Sequence, residues 1–152
     1  GKFGLSIEEI EEGIFLTKPF KHRLEPRTDN QGVVILDDSY NGNPTGALAT
    51  IDFLASLAGR RFYVTPGLVE MGDRTKEVHE MIGRRLAQSG IEKIVLVNNS
   101  VTHHIEDGFK KENGTGEIIW FDNALSAFIS LPLLTVKGDI VLLQNDWADQ
   151  YN

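Results

Sequence analysis

Val33-Val-Ile-Leu-Asp-Asp-Ser-Tyr-Asn-Gly-Asn-Pro44 is the stretch from which the fold of this chain is read. Four apolar β-formers run into two carboxylates, and a polar turn ends at Pro44, in front of a segment with helical spacing. Residues 33–36 therefore read as a buried parallel strand followed by a turn and a helix. In open α/β sheets, ligands gather at the carboxyl ends of such strands, beside helix N-termini. Two acids at a strand end need water, a cation or hydrogen-bond donors. Ligand chemistry is one way to supply these. Asx-turn formation and helix capping by Asp38, Ser39 and Asn41 is the other, and the local pattern leaves both open.

The flanking sequence extends the pattern. Pro44 to Ala58 reads as a helix, with Pro44 at its first position, Leu48, Ile51, Phe53, Leu54 and Leu57 on its apolar face, and Gly59 as its stop. Arg61–Thr65 is a second strand, followed by the long loop Pro66–Arg74 and a helix over 75–89 with Val78, Ile82 and Leu86 turned inward. Lys93–Val97 lacks polar alternation, as a strand covered on both faces should. A polar helix over about 100–111, a strand over 117–121, a helix over 122–130 and a strand over 139–143 complete the series. Strands and helices alternate at roughly 25-residue intervals, the signature of βαβ units with right-handed crossovers. The expected class is α/β: a Rossmann-like three-layer domain with a mostly parallel sheet flanked by helices.

Upstream, Ser6-Ile-Glu-Glu9 has capping-box spacing, and Ile7, Ile10 and Ile14 follow at helical intervals, so residues 6–14 read as a short amphipathic helix. Lys18–Pro26 is an extended, basic connector. Residues 1–25 thus read as an appendage to one compact domain over 26–152. An opening without Met is what a piece of a longer chain would show.

The 152 residues are enough for one domain with a sizeable core. A net charge of −7 argues against a nucleic-acid partner, yet leaves room for a small phosphate-bearing ligand that a few local groups could hold. With no cysteine there are no disulfides or thiolate metal sites, which fits a cytoplasmic setting. No apolar run approaches the ~20 residues of a membrane span, and the first residues carry no hydrophobic signal core, so no membrane association is expected.

Polar residues collect where the predicted strands end. Asp37, Asp38, Asn41 and Asn43 follow the first strand, Thr65 to Arg74 the second, Asn98 and Asn99 the third, and Asn145 and Asp146 the last. Loops after parallel strands converge on one sheet edge, which would then present acids and amides to hydroxyls, ammonium groups or a nucleoside. Such loops are also polar in proteins at large. Arg23 and Arg74 are the cations best placed in sequence to join them. Neither a Gly-x-Gly-x-x-Gly turn after the first strand nor a Gly-x-x-x-x-Gly-Lys-Ser/Thr phosphate loop occurs. His103 and His104 are neighbours on a predicted helix and should not face one metal ion together; they read as solvated surface, and no metal site is expected. His79 reads as a core-edge or surface histidine, with a ligand contact as the alternative.

Phe20-Lys-His-Arg-Leu-Glu25 and Gly32-Val-Val-Ile-Leu-Asp-Asp-Ser-Tyr-Asn-Gly-Asn-Pro44, followed by a helix rich in Ala and Leu, resemble the C-terminal domain of the Mur ligases. The likeness is greatest to the D-alanyl-D-alanine-adding branch, which reads much like Asp-Asp-x-Tyr-Asn-Ala-Asn-Pro at this point. Gly4-Leu-Ser-Ile-Glu-Glu-Ile-Glu-Glu-Gly13 resembles the end of that branch's central domain. The resemblance covers essentially the whole chain. Where the branch shows Gly-Asp-Met-Leu-Glu-Leu-Gly after the second strand, this chain has Thr65-Pro-Gly-Leu-Val-Glu-Met-Gly72. An acid is missing from that loop, which leaves a paralogous branch open alongside the dipeptide-adding one.

The resemblance implies an ATP-dependent amide ligase of peptidoglycan precursor synthesis. ATP converts a carboxylate into an acyl phosphate, and an incoming amine attacks it. The substrates would be a UDP-linked muramyl peptide and an amino acid or dipeptide. A central domain in the same parent chain would hold the phosphate loop and most of the Mg²⁺ ligands, so residues 1–152 should be inactive alone and carry no catalytic residue of their own. The domain would close over the nucleotide. Arg23 would meet the ribose or phosphates, Asp37 and Asp38 the ribose side of the site, and Tyr40, Asn41 and Asn43 the adenine and phosphates. Asn98, Asn99, Glu70, Arg74 and His79 would surround the amine substrate. A reading of another class is a non-catalytic Rossmann-like ligand-binding or regulatory module.

Overall fold

The computed structural model describes residues 24–38 and 43–144. The helix expected over 6–14, the basic connector up to Arg23, the turn at Ser39–Gly42 and the residues after Gln144 lie outside the described residues. Six strands, β1 (Glu25–Thr28), β2 (Val34–Asp38), β3 (Arg61–Thr65), β4 (Lys93–Val97), β5 (Glu117–Phe121) and β6 (Ile140–Gln144), form one sheet in the order β1-β2-β6-β3-β4-β5. Among the described residues four α-helices, α1 (Pro44–Ala55), α2 (Thr75–Gln88), α3 (His103–Lys111) and α4 (Ala124–Leu134), connect them. The α/β class and the mostly parallel sheet are as expected; among the described strands β1 alone runs antiparallel, to β2.

The layering follows from handedness. The connections β2→β3, β3→β4 and β4→β5 all advance the same way across the sheet, so right-handed crossovers put α1, α2 and α3 on one face. The return from β5 to β6 travels backwards and drops α4 onto the other face. The core divides accordingly. Val34, Leu36, Tyr63, Ile94, Leu96 and Leu142 meet the first three helices, whereas Val33, Phe62, Val64, Val95 and Val141 meet Ala124, Ala127 and Leu131 of α4.

Several expectations are corrected. The first core strand continues past Leu36 to Asp38, because parallel pairing with β6 runs on to Asp38 opposite Gln144. The stretch ending at Pro26, read as connector, ends in β1, an edge strand where a proline's missing N–H costs no ladder bond on the solvent side. Helix α4 outlasts its expected end at 130 and passes through Pro132. A proline in the last turn forfeits one hydrogen bond only, and Thr135 closes the helix through its N–H (3.1 Å) and its hydroxyl (2.9 Å) to the Leu131 carbonyl.

Two glycines set the distance between α2 and α3. A Cβ on Gly83 would lie 2.0 Å from the Ile105 carbonyl oxygen, and one on Gly108 would lie 2.0 Å from that of Glu80. Both helices therefore touch backbone to backbone, where any side chain forces them apart. At the amino edge of the sheet, guanidinium–carboxylate pairs fasten the strand starts: Arg60 to Asp139 (2.7 Å) and Arg61 to Glu92 (2.9 Å). Gly108→Ala should destabilise the domain by about 1–3 kcal/mol, as overpacking does, even though alanine is the better helix former by about 1 kcal/mol. Urea unfolding midpoints would show this, and an unshifted or raised midpoint would contradict the close approach.

Candidate functional site

Strand alternation parts the two acids of the opening motif. Successive side chains leave opposite faces of a strand. Asp38 turns toward α1 and is wholly buried. Asp37 turns to the other side, is half-buried, and has Arg27 of β1 3.9 Å away. They do not form one paired grip.

Asp38 belongs to a buried polar network centred on Gln144, the last described residue of β6. The Gln144 amide nitrogen donates to Asp38 Oδ2 (2.9 Å) and to the Thr50 hydroxyl on α1, while its oxygen accepts from the Tyr63 hydroxyl of β3. Thr50 passes its own proton to the Gly46 or Ala47 carbonyl (3.1 and 3.0 Å). Thr65 donates to the Gln144 carbonyl (3.1 Å) and accepts from the Gly67 N–H (2.9 Å). Both protons and the oxygen of one amide are thus used across four elements, as a buried polar group requires.

Gln144 and Tyr63 were absent from the sequence-derived candidates. Their signals were faint: a glutamine closing the apolar run Ile140-Val-Leu-Leu, and a tyrosine within a core strand, whose hydroxyl needs a partner when buried.

At Asn43 the capping reading holds, at a residue other than those expected for it. Asn43 is the N-cap of α1, and its side-chain oxygen accepts from Thr45 N (2.8 Å) and Gly46 N (3.2 Å). Arg23, Tyr40 and Asn41 lie outside the described residues.

The loop after β3 is braced from two sides. His79, fully buried on α2, accepts from the Leu68 N–H through Nε2 (2.9 Å) and donates from Nδ1 to the Thr75 carbonyl (2.6 Å). These two contacts assign the neutral tautomer with its proton on Nδ1. Asn99 donates to the Pro66 carbonyl (2.6 Å), and its oxygen accepts from the N–H groups of Val101 (2.9 Å) and Thr102 (3.1 Å). Between these braces the loop turns outward: Glu70 is exposed at φ +60°, a conformation that costs a non-glycine residue roughly 1–3 kcal/mol and that persists where the surroundings impose it. Arg74 is exposed, with Glu77 3.7 Å away. Asn98 is exposed, and its N–H donates to the Phe121 carbonyl (2.8 Å).

The structure thus brings Asp38, Thr65, Asn98 and Asn99 to the carboxyl edge of the sheet, with the braced loop beside them. Asn98, Glu70 and Arg74 face outward there, while Asn99, His79 and Asn43 spend their polar atoms on holding backbone.

His103 is exposed and His104 half-buried. Their ring centroids are 3.9 Å apart. They are the first two residues of α3, where no preceding helical turn separates the rings.

Comparison with known proteins points to one family. The family model for the Mur ligase, glutamate ligase domain matches residues 22–144. The UDP-N-acetylmuramoyl-tripeptide–D-alanyl-D-alanine ligase of Mycobacterium tuberculosis (strain CDC 1551 / Oshkosh) is 30% identical over 93% of this chain and 32% of its own. The enzyme of the same name from Escherichia coli K12 is 26% identical over 92% of this chain and 29% of its own. The crystal structure of the MurF ligase from Thermotoga maritima in complex with ADP superposes with a TM-score of 0.69 at 27% identity, over 86% of this chain and 29% of that one. The chain therefore spans less than a third of the length of these relatives.

Two expectations follow from this geometry. Gln144→Leu, of similar size, takes the amide away from the Tyr63 hydroxyl and the Asp38 carboxylate and should cost about 1–3 kcal/mol for each of these buried groups, read from urea unfolding; a loss below about 1 kcal/mol would refute the network. Burial, the larger influence, pushes His79 below its ordinary 6.5. The unfolded chain then takes up a proton that the folded one refuses, so stability is full above 6.5 and is lost as pH falls through the folded value. Melting temperature between pH 8 and pH 5 should fall further in the native chain than in His79→Gln. Equal falls would remove His79 as the cause.

Proposed function

This chain belongs to the Mur ligase family through its glutamate ligase domain, and we propose from that membership that it is the C-terminal domain of an ATP-dependent amide ligase acting in peptidoglycan precursor synthesis. The observation that carries the reading is coincidence. The residues matched by the family model are those that build the sheet, and that sheet ends on one edge in acids, amides and a braced loop. Relatives of the same name act on a UDP-N-acetylmuramoyl-tripeptide and D-alanyl-D-alanine; here a UDP-linked muramyl peptide and an amino acid or dipeptide are the proposed substrates. Residues 1–25 would end a central domain that carries the phosphate loop. No helix among the described residues is long and apolar enough to cross a membrane, in keeping with a proposed cytoplasmic site of action.

In this reading the domain acts as a lid. Arg23 offers fixed donors to the phosphates or ribose. Asp37, half-exposed, accepts from a ribose hydroxyl, while Asp38, held by Gln144, fixes the strand end from which Tyr40 and Asn41 reach the nucleoside. Asn43 sets the start of α1, whose N-terminal N–H groups favour an anion. Asn98, Glu70 and Arg74 meet the amine substrate, with Asn99 and His79 positioning the backbone that carries them. Bringing amine and activated carboxylate together in a fixed geometry can be worth about 7–11 kcal/mol of barrier. Bound Mg²⁺ would neutralise phosphate charge. Asp37 and Asp38 diverge, and among the described residues no group of three carboxylates converges at this edge, so its ligands are assigned to the central domain.

In the full-length parent protein, Arg23→Ala and Asp37→Asn should each weaken ATP binding about tenfold to a hundredfold, the loss expected for a hydrogen bond to a charged group. Unfolding midpoints should stay unchanged. The 152-residue chain alone should hydrolyse no ATP. Unaltered nucleotide affinity and ligation rate in both variants would overturn the assignment.

A further inference from the structure

We propose that His103, His104 and Asp107, at the start of α3, form a binding site for a borderline divalent transition ion of the Zn²⁺ type. One ligand atom from each residue lies within 4.8 Å of the other two, a spread that small side-chain rotations close. Two ligands of a tetrahedral Zn²⁺ sit about 3.4 Å apart, given metal–ligand lengths near ~2.1 Å. His104 Nδ1 and Asp107 Oδ2 are 4.0 Å apart: too far for a hydrogen bond, near enough for an ion to bridge.

A second observation points the same way. Among the described residues, the Nδ1 atom of His104 is buried and makes no hydrogen bond. A buried ring nitrogen without a donor or acceptor is costly, and a coordinated ion would satisfy it. His103 and Asp107 are exposed, so an ion can enter, and the remaining coordination position faces water.

Two imidazoles and one carboxylate select the kind of ion. Imidazole suits Zn²⁺ and its neighbours, whereas Mg²⁺ and Ca²⁺ prefer oxygen cages. The positive end of α3 works against any cation here, so ligands that bind strongly one by one are needed. Asp107 supplies the offsetting charge, while Glu106 of the same turn is engaged by Trp120 Nε1 (3.2 Å) and Lys110 (3.7 Å). The site lies next to the 98–102 turn that holds Pro66, so an occupying ion would stiffen the edge beside the braced loop without touching Asp38.

The untagged 152-residue chain, stripped of metal, should take up one Zn²⁺ per chain in calorimetric titration at about pH 7.5, and its melting temperature should rise on saturation. His104→Ala and Asp107→Asn should each weaken binding at least about tenfold. His22→Ala should leave it unchanged, and Mg²⁺ in excess should not compete. Circular dichroism of each variant checks that the fold survives. No saturable Zn²⁺ uptake, or uptake that persists in a His103→Ala/His104→Ala double variant, would overturn the proposal.

Discussion

Strand β6 holds this domain together. In the strand order, β2 and β3 do not touch; β6, the last described element of the chain, is inserted between them and pairs with both. The hairpin of β1 and β2 joins the rest of the sheet through β6 alone among the described strands. The Gln144 side chain completes the closure at the carboxyl edge, drawing hydrogen bonds from β2, β3 and α1 onto one amide. The energetic logic is that of burial: every polar atom must find a partner or the site loses stability. At the fully buried end of β2, Asp38 receives a donor from the described strand most distant from it in sequence.

The division of the two acids suits the proposed role of a lid over a nucleotide. A closing domain must present its ligand-facing groups without rearranging its own core. Here the core-side acid, Asp38, is hydrogen-bonded within the scaffold, and the other acid, Asp37, is half-buried on the opposite face of the strand. The same division recurs in the loop after β3, where His79 and Asn99 hold backbone at two points and leave Glu70 exposed between them. Preorganised supports of this kind reduce the ordering cost of binding. The bracing histidine must stay neutral to accept from Leu68, so the rigidity of the loop is tied to pH through a residue that need never touch a ligand.

Sequence periodicity located the elements well where local pattern and burial agree. Strands β3, β4 and β5 have the bounds read from composition alone, because runs such as Lys93–Val97 are apolar on both faces and end in polar turns. The start of α1 was announced by Pro44. What escaped was set by partners distant in the chain. Edge strand β1 forms because β2 offers it an antiparallel ladder, and nothing in Glu25-Pro-Arg-Thr28 announces that. The adjacency of two histidines implied divergence on an ideal helix, yet their place at its first turn brings the rings together.

The alternation of apolar runs with helical repeats was enough to establish an α/β domain with its polar groups gathered at one sheet edge, since strand burial and helix amphipathicity are local and leave periodic marks. Which of those polar groups work on the protein's own backbone and which face outward was settled by the fold. Asp37 and Asp38 are neighbours in the chain with equal chemistry; one is buried under α1 and the other is not, because a pleated strand turns alternate side chains to opposite faces and β6 brings Gln144 to one face only.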